Sequence, residues 1–206
     1  TGTGATSSSG ANNAGGNGNE GGGASTGGGS EGGGSVQGCE GPEVTVADIA
    51  TGSYGPGTKV AVTGVVAMSQ KFLVSKSSTT DNCLWGVFVS APGLTETEAN
   101  SGLLILSYGT KATIPPGGDT AFCPKLGQDP AGDKIPDNTM PGDVLNVVGV
   151  ISRFPDQPTC DPPNPPNQVG MLQLGSVCSA EKTGEAAVPA PHVLTSGEIT
   201  SIQSTT

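Results

Sequence analysis

The chain has 206 residues, of which only 3% are aromatic, and its eight basic residues face eighteen acidic ones, which gives a formal net charge of −10. A charge of this sign repels phosphates, so nucleic acids and anionic lipid surfaces are disfavoured as partners. No apolar stretch approaches the roughly 20 residues needed to cross a bilayer, so no transmembrane segment is predicted.

Residues 1–38 consist almost entirely of glycine, serine, threonine, asparagine and alanine. Such a segment has little to bury, and it predicts a disordered tether ahead of a domain that begins at Cys39. The segment resembles the Gly/Ser-rich stretches that follow the lipid-bearing cysteine of bacterial lipoproteins. This resemblance implies, as a hypothesis, a lipid anchor ahead of residue 1.

From Cys39 onward, short β-branched runs alternate with turn residues, which is typical of an all-β domain. No apolar period of helical length is present, although Thr95 to Asn100 is expected to form one helical turn, with Glu98 three residues after the capping Thr95. After a lead-in from Val44 to Ile49, six strands are predicted in chain order: Lys59 to Met68, Lys71 to Val74, Leu84 to Val89, Leu103 to Leu106, Asp143 to Phe154, and Met171 to Leu174.

Two of these strands are long and carry a glycine near the middle, Gly64 in the first and Gly149 in the fifth. A glycine inside a strand often marks a bulge or a sharp bend, so both strands are expected to coil. Five or six strands, two of them long and bent, predict an oligonucleotide/oligosaccharide-binding (OB)-like β-barrel, closed or partly open, whose long loops are stapled by disulfides. A β-sandwich is the alternative fold.

Residues 39–194 form the predicted OB-like domain. From roughly Val44 to Leu194 the chain also resembles a known family in the order of its strand motifs. The motifs are Gly57-x-x-Val60-x-Val62-x-Gly64, Gly86 to Val89, Pro141 to Phe154, Gln173-Leu174 and Val188 to Pro191. In this order they resemble the OB-like domain that accompanies bacterial extracellular nucleases. The resemblance implies a fold and a binding role without hydrolysis, because the nuclease catalytic domain has no counterpart. Residues 195–206 are interpreted as an extension that leads into a further module.

The five cysteines predict disulfides, because they lack the paired C-x-x-C spacing of a zinc site. Cys83 and Cys123 bracket the long insertion between the central strands, and Cys160 and Cys178 flank the final hairpin. These two pairs are the predicted bridges, although sequence alone does not rank the alternatives. Cys39 is then the odd cysteine, available to join another chain. Disulfides place the protein in an oxidising compartment, at the bacterial outer surface, in the periplasm or outside the cell.

The sequence offers no recognisable catalytic machinery. A hydrolytic triad would have to use His192, the single histidine, and no G-x-S-x-G, P-loop or H-E-x-x-H motif occurs. We therefore predict a protein that is not an enzyme and needs no cofactor.

One acidic cluster with a regular spacing is a candidate calcium site. Asp129, Asp133 and Asp137 follow one another at intervals of four in a loop rich in glycine and proline. Oxygen ligands on such a loop suit a hard cation, but the spacing is not that of an EF-hand and Lys134 lies among the acids. A solvated acidic loop is the alternative.

An OB-like barrel would present its central strands to a ligand. The candidates are Phe72, Trp85 and Phe88 for stacking and Lys71, Lys76 and Arg153 for phosphates. Because aromatic residues are scarce here, Trp85 and Phe88 are both assigned to the core instead.

These observations favour a non-enzymatic structural or interaction module, extracellular or tethered to a surface, whose partner is an unidentified protein or glycan. One alternative is a module that binds single-stranded nucleic acid or an oligosaccharide. Another is a self-associating subunit of a surface fibre, joined through the tail, Cys39 or an unpaired strand edge.

Overall fold

The computed structural model describes residues 38–127, 130–154 and 170–195. Within these ranges it contains one short helix and six strands: α1 (Val46–Ala50), β1 (Lys59–Ala67), β2 (Phe72–Lys76), β3 (Asn82–Ser90), β4 (Gly102–Lys111), β5 (Asp143–Phe154) and β6 (Met171–Glu185). Apart from residues 38 and 195, the predicted tether and C-terminal extension lie outside the described residues. No helix of the described residues is long and apolar enough to span a membrane.

The strands form one sheet that returns on itself. Its order is β1-β5-β6-β4-β3-β2, and a further pairing of β1 with β3, at Val66 with Ser90 and Ala67 with Val89, closes a ring of five strands. Strand β6 is parallel to β4, and the other pairs are antiparallel. The predicted all-β class is confirmed, with six strands in one sheet that returns on itself, whereas a sandwich would need two stacked sheets.

The two mid-strand glycines lie where the sheet bends, as predicted. The β1–β5 register shifts between Val62 and Val65, where Gly64 adopts a φ of 68° that favours glycine. The β5–β6 register shifts across Gly149. A Cβ at Gly149 would lie 2.9 Å from the carbonyl oxygen of Gly175, so only a glycine lets the two strands approach this closely.

The prediction of a helical turn at Thr95 to Asn100 is wrong, and the helix of the described residues is α1. Thr45 and Asp48 form a reciprocal capping box that begins α1, and the buried Val46 and Ile49 attach the helix to the sheet. The Thr95–Thr97 segment instead exchanges backbone hydrogen bonds with Ala190, so its polar groups are satisfied by a distant strand-like segment.

The core lies inside the ring and is built from aliphatic side chains. Its largest fully buried members are Ile49, Ile105, Leu145, Ile151 and Leu174 together with seven valines. A second, smaller cluster of Cys83, Trp85 and Ala131 lies under the loop between β4 and β5.

Two disulfides are present in the described residues. Cys83 is bonded to Cys123, as predicted. Cys178 is bonded to Cys39, so the predicted pairing of Cys178 with Cys160 and the assignment of Cys39 as odd are wrong. Cys160 lies outside the described residues.

The unexpected bridge follows from the position of the segment around Cys39 and from the length of β6. Lys59 Nζ donates to the carbonyl oxygen of Gly38 at 2.6 Å, which holds Cys39 beside the start of β1. Strand β6 extends far beyond the predicted Leu174, so Cys178 lies within the strand. Since β5 pairs with both β1 and β6, the two cysteines come together on one side of the ring.

Candidate functional site

The solvent-facing side of β2, β3 and β4, with the adjoining ends of β5 and β6, carries an apolar surface. This surface is called the outer face below. Along β3, Cys83, Trp85, Val87 and Val89 point into the molecule, so the residues between them point outward. The register then places outward residues of β3 beside those of β4: Leu84 beside Tyr108, Gly86 beside Leu106, and Phe88 beside Leu104.

Aromatic residues are concentrated on this face although the chain has few. Phe88 is 46% exposed and Tyr108 is 52% exposed. Phe72 of β2 stacks on Phe88 with ring centroids 5.5 Å apart and an interplanar angle of 23°. Gly86, the register partner of Phe72, has no side chain. A Cβ there would lie 2.8 Å from Val74 Cγ2, so Val74 packs over β3 at this point.

Two concavities share Leu104 on the outer face. The larger, about 570 Å³, is lined by apolar groups and a polar row of Ser152, Gln173 and Ser176. The smaller, about 390 Å³, includes Phe88 and Met171. Both volumes are in the range of ligand sites, and within the described ranges Glu98 is the only charged residue that lines either of them.

The predicted ligand-binding residues do not converge on this face. Phe72 belongs to it, whereas Trp85 is 2% exposed and packs in the smaller core cluster, as its core assignment predicted. The core assignment of Phe88 is wrong, because the alternation of β3 turns it outward. Lys76 lies at the end of β2 and pairs with Asp81 at 3.3 Å. Arg153 donates to the carbonyl oxygen of Gly170 at 2.9 Å.

Sequence reasoning missed Tyr108, Phe154 and Met171 as members of an exposed apolar surface. Tyr108 shares its parity with Leu104 and Leu106, a signal that was overlooked because the predicted fourth strand ended at Leu106. Phe154 and Met171 are paired across the ends of β5 and β6, and this juxtaposition depends on the register.

The third predicted cation, Lys71, is buried in what is called the lysine clamp below: Lys71, Asp133 and Asp137. Lys71 Nζ donates to Asp133 Oδ1, to Asp137 Oδ1 at 2.5 Å and to the carbonyl oxygen of Ile135 at 2.7 Å. The side chains of Lys71 and Asp133 are 0% exposed, and that of Asp137 is 40% exposed. Nζ also lies 5.4 Å from the centroid of the Trp85 ring. Lys71 is therefore not available to bind phosphate.

The loop that carries both aspartates is held against β4. Thr110 N donates to the carbonyl oxygen of Ala131 at 2.9 Å, and Lys134 N donates to Ser107 Oγ at 3.0 Å. Burial alone would raise the pKa of Asp137, but hydrogen bonds from Lys71 and the Ala131 amide, with the charge of Lys71, hold that pKa below its usual value.

The clamp changes the interpretation of the acidic cluster. Asp133 and Asp137 do come together, but the ammonium of Lys71 takes the position between them that a calcium ion would need. Asp129 lies outside the described residues. Among the described residues, no three histidine, cysteine or acidic side chains are grouped so that they could hold a metal ion.

His192 connects two surface segments. Its Nδ1 lies 2.8 Å from Glu96 Oε1, and its backbone N–H donates to Thr97 Oγ1 at 2.9 Å. This arrangement attaches the segment after β6 to the loop between β3 and β4.

Comparisons with known proteins identify no relative: no family model, no curated protein and no solved structure matches the chain. The resemblance to nuclease-associated OB-like domains remains a prediction from the strand motifs. The two disulfides indicate an oxidising compartment.

Proposed function

We propose that this protein is a non-enzymatic interaction module that works at the cell surface or outside the cell, and that its outer face binds an apolar surface of a protein partner. The observation that carries the proposal is the concentration of exposed apolar side chains on that face. Val74, Phe88 and Tyr108 are each between 40% and 52% exposed, and Phe154 and Met171 are more exposed still.

A surface of this composition is unusual on a protein that has no partner. Monomeric proteins rarely expose a large contiguous apolar patch, and aromatic residues and methionine are enriched where proteins meet. The stacked pair Phe72 and Phe88 supplies a rigid anchor of the kind that dominates binding energy at interfaces.

The charges around the outer face support a protein partner over a nucleic acid. Among the residues that the structure describes, no lysine or arginine lines either concavity, and the whole chain carries a net charge of −10. A nucleic acid would meet stacking surfaces with no cations to neutralise its phosphates.

An uncharged oligosaccharide is the second candidate ligand for the same face. In the larger concavity, Gln173 Nε2 donates to Ser152 Oγ at 3.2 Å, so polar groups lie near the Tyr108 ring. Sugars combine apolar ring faces with hydroxyl groups, which fits such a mixed surface.

Location at the surface is supported by the disulfides and by the composition of residues 1–38. A Gly-rich segment of that length would give a tethered domain a reach of roughly 35 Å. Assembly into a fibre is a form of the same proposal in which the partner is another copy of the chain.

The proposal is tested by placing a photo-crosslinking amino acid at position 88 in the protein produced by its native host. We expect adducts of defined mass from position 88 and none from position 122, because Phe122 is 60% exposed but lies outside both concavities. Identification of the adducts by mass spectrometry distinguishes a protein partner, a glycan and a second copy.

Equal labelling from the two positions, or none from position 88, would contradict binding by the outer face. Titration of the purified domain with single-stranded DNA at low salt provides the complementary negative test, since tight and salt-sensitive binding would favour the nucleic-acid alternative.

A further inference from the structure

We propose that the side chains of Lys71 and Asp133 condense to form an intramolecular amide bond, with Asp137 as the group that transfers the proton. This inference is independent of the outer face and of any partner. The ion pairs of the lysine clamp are the state from which the amide forms, and the amide replaces the ion pair between Lys71 and Asp133.

The first requirement, proximity, is met by the clamp. Lys71 Nζ contacts Asp133 Oδ1, while the other oxygen of that carboxyl group accepts a hydrogen bond from Ile135 N at 3.1 Å. The carboxyl group is thus fixed at both oxygens, and one of them contacts the nitrogen. Holding two reacting groups in this way replaces a bimolecular encounter and contributes a large effective concentration.

The second requirement is a dry environment. The side chains of Lys71 and Asp133 are both 0% exposed, and the surrounding residues include Trp85, Ala131 and Ile135, which are each at most 2% exposed. Burial disfavours charged groups, so transfer of a proton from the ammonium to the carboxylate produces the neutral amine and acid that can react. Exclusion of bulk water also disfavours hydrolysis of the product.

The third requirement is a group that moves protons. Asp137 Oδ1 accepts a hydrogen bond from Lys71 Nζ at 2.5 Å, and its other oxygen accepts from Ala131 N at 3.2 Å. The carboxylate of Asp137 is therefore in contact with the nitrogen from which a proton must be removed. Its 40% exposure provides a path toward solvent.

The reaction balances without any other reactant. The lone pair of neutral Lys71 Nζ attacks Cγ of protonated Asp133, and a C–N bond forms. Asp137 takes a proton from the nitrogen and delivers it to the departing hydroxyl group, so the C–O bond breaks and one water leaves. Nothing is oxidised or reduced, and Asp137 is regenerated. The remaining amide N–H is placed to donate to the Ile135 carbonyl oxygen, which Nζ already contacts at 2.7 Å.

The test is the intact mass of the purified, folded protein after denaturation and complete reduction. We expect a mass one water lower than the sequence requires, and a branched peptide that joins Lys71 to Asp133 after proteolysis. The pair Lys182 and Asp143 is an internal control, because its atoms lie 2.7 Å apart but Lys182 is 36% exposed. It should give no branched peptide.

Two variants test whether Asp133 is the group that reacts and Asp137 the group that transfers the proton. Asp133→Ala and Asp137→Asn should both show the full sequence mass, with folding checked by circular dichroism. If a variant does not fold, the mass of the wild-type protein still decides the matter. The full mass in folded wild-type protein, or a water lost at any other pair of residues, would overturn the proposal.

Discussion

Lys71 holds the loop between β4 and β5 by satisfying three acceptors with one ammonium group. Lysine is among the residues least often buried, so nothing in its type or spacing could mark this one as internal. The burial depends on carboxylates more than sixty positions away along the chain. The acidic spacing of Asp133 and Asp137 was visible in the sequence, but the cation that they bind was not.

Removal of one partner from the clamp should be costly. Asp133→Ala removes the ion pair and any amide formed from it, and it leaves the Lys71 charge buried with a partner missing. We expect it to reduce the free energy of unfolding by at least about 3 to 5 kcal/mol. Urea unfolding at neutral pH measures the loss. Lys76→Ala is the matched control, because the exposed pair of Lys76 with Asp81 should be worth at most about 1 kcal/mol. Equal losses would show that the clamp does not stabilise the fold.

Asp143 should contribute to stability in a pH-dependent way. Burial alone would raise its pKa, but hydrogen bonds from Lys182 and the Met140 amide, with the charge of Lys182, hold the pKa below 3.8. A depressed folded-state pKa stabilises above the unfolded-state value, and the contribution is lost as pH falls through the folded-state pKa. Asp143→Asn should therefore be less stable than wild type at pH 7, with a difference that shrinks below about pH 3.8.

Urea midpoints measured from pH 7 to pH 2 test this expectation. Asp119→Asn, in the loop after β4, is the control and should track the wild type across that range. A difference between Asp143→Asn and wild type that stays constant with pH would contradict it.

At alkaline pH the stability contributed by Lys182 changes with pH in the opposite direction. The pKa of Lys182 is raised above 10.5 by its hydrogen bonds to Asp143 and Glu185, so its contribution is lost only as pH rises through that raised value.

At the scale of the elements, the strands differ in how well the sequence defined them. The predicted bounds of β5 agree with the structure at both ends, because alternating aliphatic residues continue through the strand and proline follows Phe154. Strand β6 was predicted to end at Leu174 but continues to Glu185 through polar residues. Its second half is held by backbone pairing with β5, and such pairing leaves no apolar signal in the sequence.

Only part of the outer face could be predicted from the sequence. Alternation along β3 places Trp85 and Phe88 on opposite sides of the strand, but the sequence does not show which side is covered. The covered side is set by the curvature of the closed ring. The scarcity of aromatic residues favoured a core position for Phe88, and the closed ring instead filled its interior with valine, leucine and isoleucine.

The bend in β5 gives a prediction at this scale. Gly149→Ala would place a Cβ 2.9 Å from the Gly175 carbonyl oxygen and 3.0 Å from Leu174 Cγ, so the neighbouring strand must shift. We expect a loss of about 1 to 3 kcal/mol, measured by thermal unfolding. Gly184→Ala in β6 is the control, since its Cβ would meet nothing within 4 Å. A Gly149→Ala protein as stable as the control would show that the strands can separate freely there.

At the scale of the whole molecule, the disulfide between Cys39 and Cys178 spans 139 positions and that between Cys83 and Cys123 spans 40. Long-range pairing of this kind follows from the closed topology, which is why order along the chain could identify only the shorter bridge. By loop entropy the longer bridge contributes about 5 kcal/mol and the shorter about 4 kcal/mol.

Double replacement of each pair by serine should therefore destabilise the protein, with the Cys39 and Cys178 pair having the larger effect. Urea unfolding of the two double variants under non-reducing conditions gives the comparison. Since each variant removes both sulfurs of a bridge, no new thiol is left from that pair. A protein that loses no stability without Cys39 and Cys178 would contradict the pairing.

The position of the Cys39 bridge also sets how the domain responds to pulling. A pulling force applied to the chain before Cys39 reaches that residue before it reaches α1 or β1. The disulfide between Cys39 and Cys178 then transmits the force directly to β6. Strand β6 is hydrogen-bonded on both sides, to β5 and β4. Tension from that end would thus be borne by an interior strand of the sheet, and the helix and first strand would be shielded from being peeled away.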